Sequence, residues 1–307
     1  MDPGSPGSVL GLSVLVAEVF VGVFTIIFIT SVILYDSYRK KMIDNKAKIR
    51  LALKVSSLFF MTVLPYFDIY NVLQPDHSTM PHESPVFTVV IVYCMCSCSW
   101  LITLQCFFYF IKIVHFRWVF IRWAKLRISA IVTRQIVVVE VVSLSASLLH
   151  LLPYRMTQDS STNSSYISST YNTLEEMIVN NYGSYLVLII VFSLLLLTTT
   201  ATFVTTAFLR CHIMKMKDTK TTGEVHQYNL VVQKMLRFLF LFSFFNVMMF
   251  LYYFSVFKHF TIGYWINLVL VFSFIPTINI LQIFETPLLR AAWKEMISYV
   301  TRSRGSQ

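Results

Sequence analysis

Charge is scarce in this chain. Asp, Glu, Lys and Arg make up 13% of its 307 residues, roughly half the share usual in soluble domains, which is too little to cover the surface of a soluble domain of this size. Cysteine is sparse where a secreted fold would need it. Of Cys94, Cys96, Cys98, Cys106 and Cys211, four fall in one apolar segment and none in the polar stretch Pro153 to Asn181. An extracellular disulfide framework is therefore excluded, and the Cys-x-Cys-x-Cys spacing lacks a partner set for zinc. A cleavable-signal pattern is missing too. The opening "MDPGSPGS" has no basic region, and the apolar run after it is too long for a signal h-region, so that run is expected to remain as a transmembrane helix. No internal repeat occurs, which removes the paired-half logic of transporters.

What is present is apolar. Hydrophobic residues reach 56% and aromatics 16%, including 27 Phe and 16 Tyr. Runs long enough to cross a bilayer recur along the chain. They predict an all-α fold, a seven-transmembrane helix bundle with spans at about 10–35, 51–74, 86–114, 135–156, 182–210, 236–258 and 262–284. Residues 1–285 form the receptor domain in this reading, and 286–307 a cytoplasmic amphipathic helix and tail. In the tail, Thr286 suits a helix cap and Pro287 its first turn. Leu288, Leu289, Ala292, Trp293, Met296, Ile297 and Val300 then share one face, as expected of a short helix lying on the inner leaflet. No cysteine follows for palmitoylation there.

The net charge of +10 is explained by placement. Of the 25 basic residues, all but Lys54, Lys112, Arg155 and Lys258 fall in the first, third and fifth connections, with their helix edges, and in the tail. Basic residues mark cytoplasmic loops, so the amino terminus is expected outside and the carboxyl terminus inside, at the plasma membrane. A basic inner face apposed to anionic membrane lipids accounts for the charge, and nucleic acid is not an expected partner. The sequon at Asn163 then falls in the longest outside loop, as glycosylation requires.

Ionisable groups within the spans carry the question of chemistry. Glu18, Asp68, Glu140 and His150 are such groups, with Glu140 read as nearer the inner side. A catalytic reading needs a mutually reachable set, and none is legible, so hydrogen-bonded packing is favoured and no enzyme is expected. The outer loop "QPDHSTMPHESP" offers Asp76, His77, His82 and Glu83. Its irregular spacing and three prolines favour a solvated loop over a metal site, and neither metal nor cofactor is expected. "TTTATFVTT", from Thr198 to Thr206, has hydroxyls suited to bonding back to the preceding helical turn.

The third span brings a resemblance. "WLITLQCFFYFIKIVHF", Trp100 to Phe116, resembles the third-helix signature of the taste receptor type 2 (bitter taste receptor) family. Trp100, Thr103, Phe108, Tyr109, Phe110, Lys112, Ile113 and Phe116 match it, and Ile102 departs from its Ala. "VFIRWAKLRI" is similar to the family's start of the second inner loop. Glu18, Gly22, Phe28 and Ile29 fit the first-helix pattern, with Ile26 where that pattern has Asn. "LKVSS", Leu53 to Ser57, resembles Leu-Ala-x-Ser-Arg, with Lys54 and Ser57 departing. His212 and Met216 keep the ending of the fifth helix. "PTINILQIF" keeps Pro276 but has Asn279 and Ile280 where His-Ser is usual. The Asp-Arg-Tyr, Cys-Trp-x-Pro and Asn-Pro-x-x-Tyr signatures of rhodopsin-like receptors are all absent.

The resemblance implies a G-protein-coupled chemosensory receptor of the bitter-taste type. It would bind small, mostly apolar compounds in the extracellular half of the bundle and activate a heterotrimeric G protein of the gustducin type. Abundant aromatic and Met side chains suit varied apolar ligands. By family position, Ile91, Phe245 and Val269 are candidate ligand contacts, with Tyr93 or Met95 sharing the wall of Ile91. Core or lipid-facing packing is the competing reading at each. For coupling the resemblance points to Tyr109, Lys112, His115, Arg122 and Lys125. Inside-positive topology is the competing reading for the loop residues, and snorkelling of its long stem for Lys112. A vomeronasal type 1-like chemoreceptor is the alternative, and a membrane transporter ranks below it.

Overall fold

A computed structural model describes residues 6–73, 85–113, 127–149, 171–217, 222–253, 256 and 261–304. Every regular element among them is an α-helix: α1 (Pro6–Lys40), α2 (Asn45–Leu73), α3 (Pro85–Ile113), α4 (Ile128–Leu149), α5 (Tyr171–Lys217), α6 (Thr222–Tyr253), α7 (Ile262–Glu285) and α8 (Pro287–Arg304). The fold is all-α as expected, and the described residues hold seven helices followed by the C-terminal amphipathic one. Among the described residues, six of them are long and apolar enough to cross a membrane. The helix outside that set is α2, whose apolar middle is bracketed by Lys54 and Asp68. Both of these are buried, and the site they build explains why α2 carries them.

The chain divides into two compact units, Met1–Ile69 with Phe240–Gln307, and Tyr70–Leu239. In the first unit α1 packs along α7. The two run parallel and in step. A Cβ added at Gly11 would meet the Trp265 ring at 2.6 Å, and one at Gly22 would meet Met61 and, at 3.4 Å, Pro276. At Gly11 the clash is with a rigid, buried ring, so glycine is what lets α1 approach α7 there. Outward, α1 presents Phe20, Phe24 and Ile27, all exposed, as a helix facing hydrocarbon should.

Helix ends follow local chemistry. α1 stops where Lys41 adopts a left-handed backbone (φ 54) and its N–H bonds the Tyr38 carbonyl at 3.2 Å, a helix-ending geometry. The Asp44 carbonyl then takes the first bond of α2, from Lys48 N–H at 3.0 Å. Thr261 caps α7, its side chain accepting from the Tyr264 N–H. Thr286 is extended and its carbonyl accepts from Arg290 N–H at 2.9 Å, so α8 starts where the Thr-Pro pair predicts. Arg290 also turns back, its Nε donating to the Phe284 carbonyl at 2.8 Å, which satisfies an open end of α7.

The predicted apolar face of α8 docks on this unit. Leu289 joins Ile29, Ile33 and Ile283 in a buried cluster. Trp293 stands edge-on to Phe28 at 5.2 Å and to Phe24 at 6.4 Å. Leu288 and Ile297 stay exposed, as residues of a helix resting on lipid would.

In the second unit α3 packs against both α4 and α5. Cys94, Cys96, Cys98 and Cys106 are free thiols buried in α3, as small packing residues. The threonines of α5 behave as their spacing predicts: Thr198, Thr199, Thr200 and Thr205 bond to the carbonyls of Leu194, Leu195, Leu196 and Ala201. Thr198 also meets Thr103 hydroxyl to hydroxyl at 2.7 Å, tying α3 to α5.

Candidate functional site

Buried polar groups must find partners inside an apolar fold. In the first unit they gather at two levels. Nearer the start of α2, Lys54 Nζ donates to Asn279 Oδ1 at 2.5 Å. Asn279 Nδ2 in turn donates to Thr25 Oγ1 at 3.0 Å, and Thr25 donates to the Gly22 carbonyl. All three side chains are buried, Asn279 completely. This polar clasp joins α1, α2 and α7. It also joins positions that depart from the taste-receptor pattern in sequence. Lys54 stands where that pattern has Ala, Asn279 where it has His, and Thr25 beside Ile26, which replaces Asn. The departures at Lys54 and Asn279 are one arrangement in space.

The second level lies near the end of α2. Asp68, 2% exposed, accepts from Tyr264 Oη at 2.8 Å. Tyr252 Oη approaches its two carboxyl oxygens at 3.3 and 3.4 Å, a weaker geometry. Three helix ends, of α2, α6 and α7, meet on one carboxyl group.

The second unit has a counterpart between α3 and α4. Tyr93 Oη donates to Glu140 Oε2 at 2.7 Å, and Ser97 Oγ donates to Glu140 Oε1 at 3.0 Å. α4 runs from Ile128 to Leu149, so Glu140 stands near the middle of that helix. Hydrogen-bonded packing thus describes Asp68 and Glu140. Glu18 differs, since its Oε2 is buried with no hydrogen-bond partner among the described residues. His150 and the loop residues Asp76, His77, His82 and Glu83 lie outside them. Among the described residues no group of three or more metal-ligating side chains occurs.

The expected ligand residues fall in both units. Ile91 and Met95 are buried on α3, one turn apart and on one face. Tyr93 is two residues from each, and its hydroxyl faces α4 instead. Phe245 of α6 is buried and stacks on Phe274 at 4.1 Å, with Phe60 edge-on at 6.0 Å. Val269 of α7 is half-buried. Of the expected coupling residues, Tyr109 is half-buried in the last turns of α3, edge-on to Phe108 at 5.9 Å. Lys112 belongs to the final turn of α3, with only its backbone described. His115, Arg122, Lys125 and the sequon Asn163 lie outside the described residues. Sequence reasoning passed over Tyr252 and Tyr264. Their signal was position alone, as tyrosines at helix ends with Asp68 at the end of α2.

A family model described as taste receptor protein (TAS2R) matches residues 5–301, nearly the whole chain. The chain belongs to the taste receptor type 2 family. Among curated proteins no match was found. Membership makes the protein a multi-pass chemosensory receptor of the G-protein-coupled class, with small molecules as ligands and a G protein as partner in general terms. Within this taste receptor the clasp Lys54–Asn279–Thr25 joins α1, α2 and α7.

Proposed function

We propose that this receptor is of the bitter-taste type, responding to small, mostly apolar compounds bound in the extracellular halves of its helices. It passes the signal to a heterotrimeric G protein of the gustducin type. It resides in the plasma membrane with its amino terminus outside and its carboxyl terminus in the cytoplasm. The observation that carries this reading is the helix-three sequence Trp100 to Phe116, seated in a chain whose family match runs from residue 5 to 301. The same match favours it over the vomeronasal-type and transporter readings.

Ile91, Met95, Phe245 and Val269 are the apolar positions for ligand contact, with Tyr93 supplying a hydroxyl already engaged by Glu140. An agonist has only to bind the signalling arrangement better than the resting one to shift the population. Tyr109, Lys112, His115, Arg122 and Lys125 form the coupling end. Asn163 carries a glycan, and the basic inner face lies against anionic lipid.

The test is expression with a gustducin-type chimeric G protein and a panel of bitter compounds, read as calcium release. A response to at least one compound is expected. Silence to a broad panel, with the receptor present at the cell surface, contradicts the reading. Lys112→Ala separates coupling from binding: it lowers signalling more than ligand occupancy, and equal signalling at equal surface level removes Lys112 from the coupling machinery. Asn163→Gln abolishes the mobility shift produced by deglycosylation, whereas an unchanged shift would place the glycan elsewhere.

A further inference from the structure

The first unit contains a groove of about 390 Å³ where α1, α7 and α8 meet, lined by Phe20, Phe24, Ile280, Phe284 and Trp293 among others. No polar surface reaches it. Thr25 backs the groove, but its hydroxyl is engaged by the Gly22 carbonyl and by Asn279. Phe20, Phe24, Ile280 and Phe284 are all exposed, at 73%, 45%, 40% and 55%, so the groove opens outward from the membrane-crossing helices α1 and α7. An opening of this kind in a bilayer is filled by lipid, since water finds no partner in it.

The charge beside it selects among lipids. Arg290 is anchored at the Phe284 carbonyl, and Phe284 is a wall of the groove. Lys294 is one turn further along α8, next to Trp293, another wall. Both side chains are exposed, and their spacing puts them on one face. Of the acidic residues at this end, Glu295 lies round the helix from Arg290, and Glu285 is half-buried with contacts of its own.

We propose that this groove binds one anionic phospholipid of the inner leaflet. Its acyl chains lie along Phe20, Phe24 and Phe284, and its phosphate is held by Arg290 and Lys294. The site rests on the reading that α8 lies on the cytoplasmic leaflet. It goes beyond general attraction of a basic face, because an apolar groove and a cation pair are joined at one place.

The experiment is native mass spectrometry of the full-length receptor in mild detergent, with phosphatidylserine and phosphatidylcholine of identical chains. The receptor is expected to retain phosphatidylserine in preference. Lys294→Ala should lower that retention about five-fold, the effect of one basic residue near an anionic headgroup, and leave phosphatidylcholine unchanged. Phe284→Ala should lower retention of both lipids. Arg302→Ala, on the same helix but three turns past Arg290, should lower neither. Lys294, Phe284 and Arg302 are exposed, so each variant is expected to fold, with cell-surface level as the check; Arg290 is left intact because it closes α7. Equal retention of the two lipids overturns the site. So does an Arg302→Ala loss equal to that of Lys294→Ala, which marks a diffuse basic surface. Lipid-free dimers, or a retained sterol that phosphatidylserine fails to displace, also overturn it. A C-terminal epitope reached only after permeabilisation tests the leaflet assignment separately, so failure of the lipid site and failure of the orientation are read from different measurements.

Discussion

Replacing Asn279 by leucine removes one acceptor from a buried ammonium group. Lys54 is 2% exposed and Asn279 fully buried, and their bond of 2.5 Å joins α2 to α7. A hydrogen bond to a charged group contributes about 1.5–3 kcal/mol. Asn279→Leu should therefore lower the thermal midpoint of the detergent-purified receptor by about 3–12 °C. Lys54→Met removes the charge together with its donor, leaves Asn279 bonded to Thr25, and should cost about 1 kcal/mol or less. With the lysine gone the leucine removes no charge-assisted bond, so the double variant should cost less than the sum of the singles by at least about 1 kcal/mol. Lys54 has further contacts, but the cycle isolates its coupling to Asn279 whatever those contribute. The assay is thermal unfolding of the four proteins side by side. Additive costs, within about 0.5 kcal/mol, would refute the clasp.

Other substitutions probe the remaining geometry by the same unfolding assay. Tyr264→Phe should cost about 1–2 kcal/mol and Tyr252→Phe less than about 1, because only the first hydroxyl bonds Asp68 at full strength, 2.8 Å against 3.3 Å; the reverse order would mean that Tyr252 is the main partner. Gly11→Ala should cost about 1–3 kcal/mol, since its Cβ would enter the buried Trp265 ring. Gly22→Ala meets the flexible end of Met61 and gains helix propensity, so it should be near neutral. Equal costs at the two glycines would contradict the close approach of α1 and α7 at Trp265. Ser97→Ala should cost less than Tyr93→Phe, because the shorter bond to Glu140 is the tyrosine's, 2.7 against 3.0 Å; the opposite order would assign the main support of Glu140 to Ser97.

Much of this architecture is legible in the amino-acid sequence because the bilayer imposes lengths and charge asymmetries that a single chain displays. Apolar runs marked the helices, and the Thr286-Pro287 pair with one apolar face marked α8. α2 was legible as a helix, since Lys54 and Asp68 bracket an apolar middle. Their partners were not legible. Lys54 and Asn279 are 225 positions apart, and Asp68 and Tyr264 are 196 apart. A sequence shows two departures from a family pattern but not that they meet. The phase of α3 was available and went unused: Ile91 and Met95 repeat at one turn, while Tyr93, two residues from each, must face elsewhere.

In the proposed function, ligand binding to this receptor drives a G protein. The most direct measurement is agonist-dependent nucleotide exchange by a purified gustducin-type heterotrimer, with the receptor reconstituted in lipid nanodiscs. Exchange should rise with a bitter agonist found in the cell screen and fall with Lys112→Ala while ligand occupancy is kept. Full occupancy by that ligand, with exchange no faster than in empty nanodiscs, would contradict it.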